Sequence, residues 1–158
     1  MKAIVLYHSL YGNTRSVAES LAEGLRKAGI DTDCSSITEV EKSQIVTYDL
    51  IAIGSPTHIL RPSKEMKAFL KELRSLDLRG KRGFSFDTRN ESGMNKKSWS
   101  ILENSAARGI EKALKKMGVE IIKSRESAPV IGQEGPLEHG VNHSFTQLGN
   151  EIGALLIS

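Results

Sequence analysis

The chain holds one cysteine, four prolines and few aromatics, which make up 5% of its 158 residues. The single thiol, Cys34, closes no internal disulfide and has no partner at metal-ligand spacing. It reads as a strand residue kept in a reducing compartment, so a cytoplasmic location is expected. No apolar run reaches bilayer-spanning length, and the first residues enter a strand at once, without a signal or transit segment. No membrane partner is expected. Neither charge sign dominates, with 22 Lys and Arg against 19 Asp and Glu and a formal charge of +3. Without a recognisable module or a basic stripe, nucleic-acid binding is not expected either. The sequence also lacks G-x-x-x-x-G-K-[ST] and the three-glycine dinucleotide fingerprint, which sets aside a P-loop and a Rossmann site. His139 and His143 stand four apart with no third ligand placed beside them, so no metal is expected.

What is present is organised around Val5-Leu6-Tyr7-His8-Ser9-Leu10-Tyr11-Gly12-Asn13-Thr14. Ile4, Val5 and Leu6 read as a buried strand that stops at a turn of small and polar residues. Val17, Ala18, Leu21, Ala22 and Leu25 then recur at helical spacing, so the turn feeds a helix N-terminus. Free backbone N–H groups and the positive end of a helix dipole gather there, which suits an anion. Ser9 and Thr14 add hydroxyls, Asn13 an amide, and Gly12 a close backbone approach. The turn is a phosphate cradle without a lysine.

Further along, Gly29 stops the first helix and Ile30–Ile37 alternates weakly, as an edge strand does. After a polar connection, the run from Asp49 to Gly54 is apolar enough for a central parallel strand. It leads into the loop Ser55–Pro62, and Ser63 caps a helix whose inner face is Met66, Phe69, Leu70 and Leu73. A strand around Arg82–Asp87 ends in the polar loop Asp87–Gly93. Leu102, Ala106, Ile110, Ala113, Leu114 and Met117 mark a third helix, closed by Gly118. Val119–Ile122 forms the fifth strand, and Ala128–Ile131 either extends it or makes a short second piece, since Pro129 suits no central ladder. The loop Gly132–Gly140 precedes a last helix carrying Val141, Phe145, Leu148, Ile152 and Leu155. Strands alternating with helices imply an α/β class with a parallel sheet, and one domain over residues 1–158.

The first turn resembles the FMN-phosphate loop of the flavodoxin family. Val5, Leu6, Tyr7, Ser9, Gly12, Thr14, Ala18 and Leu21 fill the places of that signature. Tyr-Gly-Asn-Thr is most similar to flavodiiron-type domains and flavodoxin-like quinone reductases, although no HxHxD cluster accompanies it, so a complete flavodiiron oxygen reductase is not expected. Gly54-Ser55-Pro56-Thr57-His58 is similar to the turn that meets the isoalloxazine edge in that family, and Phe86-Asp87-Thr88-Arg89 stands where its third flavin loop does. The resemblance implies a three-layer sandwich with a five-stranded parallel sheet of order 2-1-3-4-5 and helices on both faces. Ligands of such sheets sit outside the carboxyl ends of the strands, where the order reverses.

The resemblance therefore implies non-covalently bound FMN. Its phosphate goes to Ser9, Leu10, Tyr11, Gly12, Asn13 and Thr14. Its ring goes between Ser55, Pro56, Thr57, His58 and Ile59 on one side and Asp87, Thr88, Arg89 and Asn90 on the other. The implied role is electron transfer between redox partner proteins or to small electron acceptors, as a monomer or dimer. An FMN-dependent NAD(P)H:quinone-type oxidoreductase and a flavin-free binding module are the alternatives. Quinone reductases of this fold usually carry insertions that this chain length leaves little room for, which favours a carrier over a stand-alone enzyme.

Two features depart from the family. The second and third loops offer no Trp or Tyr to stack on a ring, leaving His58, Ile59, Leu60 and Trp99, the last better suited to packing. A sequence pI near 9.0 contrasts with acidic flavodoxins, and Arg61, Arg89, Lys96 and Lys97 face only Asp87 and Glu91 around the expected ring site. His58 reads equally as a proton donor or as a loop residue making one backbone contact, and Arg89 as a ring neighbour or a solvated cation. Asp87 is no receiver-type phosphoacceptor, because the places such domains fill with acids hold Ser55 and His8-Ser9.

Overall fold

The computed structural model describes residues 1–58, 61–90 and 105–158. In chain order these form β1 (Lys2–Tyr7), α1 (Asn13–Lys27), β2 (Asp31–Ser36), a 3₁₀ turn (Lys42–Thr47) and β3 (Leu50–His58). β4 (Arg61–Pro62), α2 (Lys64–Leu73), β5 (Arg82–Asn90), α3 (Ala106–Lys116), β6 (Glu120–Ile121), β7 (Glu126–Val130) and α4 (Val141–Ile157) follow. Leu102, expected on the third helix, lies outside the described residues. No helix among the described residues is long and apolar enough to cross a membrane.

The strands order as β2-β1-β3-β5-β6, with β7 also on β5 and the two-residue β4 on β3. Apart from the antiparallel β3–β4 pair, every ladder is parallel. The expected order 2-1-3-4-5 is thus present with its fifth place split into β6 and β7. The polar Lys123-Ser124-Arg125 separates the two pieces, and Pro129 sits in the second, where β5 is the neighbour.

Side chains alternate along each strand, so one apolar sheet supplies two cores. Ala3, Val5, Leu50, Ala52, Phe84 and Phe86 face α1 and α4. Ile4, Leu6, Ile51 and Ile53 face α2 and α3. Ser63 caps α2 by accepting from the Met66 N–H at 3.2 Å, and Gly29 and Gly118 end their helices with positive φ.

α1 and α4 meet backbone to backbone. A Cβ built on Gly149 would lie 2.2 Å from the Leu21 carbonyl oxygen, and one on Gly24 would lie 2.0 Å from the Thr146 carbonyl oxygen. Only glycine permits that approach. Gly149→Ala would gain about 1 kcal/mol of helix propensity. The clash is with main chain that no rotamer can relieve, and overpacking costs about 1–3 kcal/mol. A net destabilisation is expected, read as a lower urea midpoint with an unchanged slope. A variant as stable as the parent would mean that the helices can separate freely.

Cys34 is half-buried on β2, where burial, with Glu19 adding to it, pushes its thiol up to about 11. At pH 8 the thiolate fraction is then on the order of 10⁻³, against roughly a quarter for an ordinary thiol. Alkylation by iodoacetamide at pH 8 should be correspondingly slow and should accelerate up to about pH 11. A rate matching free cysteine would contradict the burial.

Candidate functional site

β1 stops at Tyr7, paired with Gly54, whereas β3 and β5 continue side by side through Ser55↔Asp87 and Pro56↔Thr88. The second and third expected loops therefore begin as strand, through His58 and Asn90. Hydrophobic periodicity missed this because those strand ends are polar. The last β1–β3 pair is Tyr7↔Gly54, so Pro56, which has no N–H, lies beyond that ladder. The step between the short β1 and the longer β3 and β5 opens a cleft of about 570 Å³. Gly54 serves the step from below, since a Cβ there would fall 2.1 Å from the Phe86 ring.

The first turn borders this cleft with Ser9, Leu10, Tyr11, Asn13 and Thr14. Gly12 stands at the N-cap of α1 with φ 88°, a left-handed backbone that disfavours any other residue, and has no capping side chain. No acid occupies the first helical turn. Leu10 and Tyr11 are exposed, and the Ser9 hydroxyl accepts from the Gly12 N–H at 3.1 Å. Thr14 is buried, its hydroxyl 2.8 Å from that of Thr88 across the cleft floor. The Asn13 side-chain amide donates to the Glu134 carbonyl at 2.9 Å, so one of its N–H groups is already engaged.

From β3, Pro56 and Thr57 line the cleft. Ser55 does not. It is fully buried, donating to the Pro56 carbonyl at 2.9 Å and accepting from the Ser63 N–H at 3.0 Å. Beside it, the Ser63 hydroxyl lies 2.8 Å from His8 Nδ1, so His8 joins the end of β1 to the cap of α2. His58 pairs with Arg61 at the tip of the β3–β4 ladder, and Ile59 lies outside the described residues.

From β5, Thr88, Arg89 and Asn90 line the cleft. Arg89 is only 5% exposed, so it is no solvated cation. Asp87 is fully buried behind this wall. Its Oδ2 accepts from the Thr57 hydroxyl and from the Ala107 N–H, each at 3.0 Å, while the Ala106 N–H donates to Thr57 Oγ1 at 3.1 Å. Asp87 and Thr57 thus cap α3 together with Ser105, and Asp87 Oδ1 has no hydrogen-bond partner among the described residues. Glu91, Lys96, Lys97 and Trp99 lie outside the described residues.

Val130 and Gln133 complete the lining, although the sequence pattern marks neither as a site residue. The one available signal is Pro129, which suits no central ladder position. Among the described residues the lining includes one arginine and no carboxylate, beside an uncapped helix N-terminus. That donor set and this volume fit a flat ring with a phosphorylated tail. Among the described residues no three His, Cys, Asp or Glu side chains gather as a metal would need.

Comparison with known proteins agrees with this geometry. A family model described as Flavodoxin matches residues 5–145. A flavodoxin from Clostridium saccharobutylicum is 34% identical over 57% of each chain. An NAD(P)H dehydrogenase (quinone) from Cupriavidus metallidurans is 33% identical over 50% of each. The chain spans about half the length of the curated relatives it matches. Among solved structures, a flavodoxin from the domain Archaea superposes with a TM-score of 0.80 at 25% identity, covering all of both chains. The rubredoxin oxygen:oxidoreductase of Desulfovibrio gigas superposes at 0.77 and 20% identity, covering 99% of this chain and 36% of that one. The chain belongs to the flavodoxin family, and membership implies a flavin.

Proposed function

We propose that the cleft binds FMN and that the protein carries electrons between redox partners in the cytoplasm, as a monomer or dimer. The observation that carries this reading is the uncapped N-terminus of α1 opening into a cleft that, among the described residues, is lined without carboxylates. Its first-turn N–H groups and the Ser9 hydroxyl would take the phosphate. Pro56, Thr57 and His58 on β3, with Thr88, Arg89 and Asn90 on β5, would flank the ring, and Ile59 follows them in the chain. Ser55 and Asp87 act one layer back, holding those walls in place. The flavin supplies the one- and two-electron chemistry, and the chain supplies position and electrostatics.

An NAD(P)H:quinone oxidoreductase is the second reading, favoured by the similarity to the Cupriavidus protein. Steady oxidation of NAD(P)H by the flavin-loaded protein with a quinone would select it. No turnover without a separate reductase selects the carrier. A flavin-free binding module is the reading left if folded protein takes up no flavin.

Titration of the folded protein should quench FMN fluorescence with a stoichiometry near one. Ser9→Ala should cost about 1.5–3 kcal/mol of FMN affinity, the value of a bond to a charged acceptor. Riboflavin, which has no phosphate, should lose little. Equal losses for both ligands would assign Ser9 to the fold of the turn.

Arg89 places a positive charge in a low-dielectric wall, where it favours the negative charge that reduction leaves on a nearby ring. Arg89→Ala should lower the flavin potential by roughly 30–60 mV on a one-electron step, three- to tenfold in relative affinity. Because Arg89 is buried, the shift should survive high salt. An unchanged potential with normal FMN binding would direct the guanidinium away from the ring.

A further inference from the structure

We propose that residues 130–135 form a fourth wall of the cleft, and that Asn13 is the latch holding it rather than a phosphate donor. The inference rests on the flavin reading above for the identity of the ligand, but the latch can be tested without it.

The wall begins where β7 ends. Val130 lies opposite Asn90 in the parallel β5–β7 register, so it continues the sheet next to the third expected loop. The chain then doubles back on itself. The Ile131 N–H donates to the Pro136 carbonyl at 2.8 Å, and the Glu138 N–H donates to the Pro129 carbonyl at 3.0 Å. Those bonds hold the base of the loop but not its tip. The tip is held from the first turn by the Asn13 side chain, donating to the Glu134 carbonyl at 2.9 Å. Between base and tip, Gln133 borders the same cavity as Ser9, Thr14 and Thr88.

The residue after the latched carbonyl supports this assignment. Gly135 has φ +103°, and a Cβ there would fall 2.6 Å from both Nδ2 and Oδ1 of Asn13. Any larger residue would push the Asn13 amide out of place. Gly135 and Asn13 are therefore one device, a left-handed backbone position that lets a side-chain amide lie flat against it. The wall runs from the first turn to the end of β7, so it flanks the length of the cleft rather than the phosphate end alone. On the flavin reading, the ring and sugar-like chain of the ligand would meet this wall as well as its phosphate.

A latch and a phosphate donor differ in what their loss does. Asn13→Ala should weaken FMN and riboflavin alike, by about tenfold, the equivalent of one hydrogen bond. Hydrogen exchange at the Ile131 and Glu138 amides of the flavin-free protein should speed up at the same time. Gly135→Ala should reproduce both effects, because it displaces the same amide. Gln133→Ala should weaken both ligands severalfold while leaving amide exchange unchanged, as a contact residue does. A loss confined to FMN in Asn13→Ala would make Asn13 a phosphate donor and overturn the proposal. Unchanged exchange in both latch variants would overturn it whether or not flavin binds. Should the parent protein bind no flavin, the flavin reading fails by itself, and the exchange measurement still decides the latch.

Discussion

The cleft exists because neighbouring parallel strands end at different heights. β1 stops at Tyr7, whereas β3 and β5 remain paired past Pro56↔Thr88. Main-chain groups beyond the end of β1 lose a partner on that side, and the structure satisfies them locally. The His8 N–H reaches the Gly54 carbonyl at 3.2 Å, the Ser55 hydroxyl donates to the Pro56 carbonyl, and the Ser63 N–H donates to Ser55 Oγ. The floor of the site is therefore a polar layer laid on the two apolar cores. Gly54 marks the boundary, with the Phe86 ring lying where its side chain would otherwise be.

That polar layer links the elements that border the cleft. Thr14 on α1 bonds Thr88 on β5, and Asp87 beside Thr88 bonds Thr57 on β3. Thr57 and Asp87 in turn hold the first turn of α3. Each member is buried or half-buried, where a hydrogen bond contributes about 1 kcal/mol net and a broken one leaves a desolvated group costing about 1–3 kcal/mol. A shift of one cleft wall thus strains the others, so the walls behave as one preorganised unit. Preorganisation suits the carrier role proposed above, because an electron-transfer site would gain nothing from reshaping around its cofactor at each cycle.

Much of this was legible in the sequence, for identifiable reasons. The apolar runs of β1 and β3 and the helical spacing on α1, α2 and α4 report burial directly, so the layers followed from periodicity. Gly12 and Thr14 could be placed because a strand–turn–helix joint leaves few geometries open. The polar ends of β3 and β5 were read as loops because period-2 patterning needs one apolar face, and here both faces are polar. The direction of the Ser55 and Asp87 side chains is not legible in the sequence, because at a strand end it depends on the neighbours. Both turn inward, to Ser63 and to the N-terminus of α3. Val130 and Gln133 carry no site signal in the sequence, since Val130 reaches the cleft as the paired end of β7 and Gln133 through a fold-back whose tip is held by Asn13, more than a hundred residues away.

The arrangement of helix ends explains why an anion would choose one place. α1, α2 and α3 all begin near the carboxyl ends of the strands, and each presents the positive end of its dipole there. α2 is capped by Ser63 and carries Glu65 in its first turn. α3 is capped by Ser105 and receives both Thr57 and the Asp87 carboxylate. A buried carboxylate against a helix N-terminus offsets part of the charge that the dipole would offer a ligand, and Asp87 lies behind the wall, where no ligand displaces it. α4 also starts at an uncapped left-handed glycine, Gly140, but that end opens beside Glu138 and away from the cleft. α1 alone among these helices combines an uncapped N-terminus, a first turn without acids and a place on the cleft wall. The proposed anion site thus depends as much on what the chain does to the other helix ends as on the turn itself. Glycine at position 12 is the residue that leaves the end of α1 open, having no side chain to cap it and no Cβ to crowd what approaches.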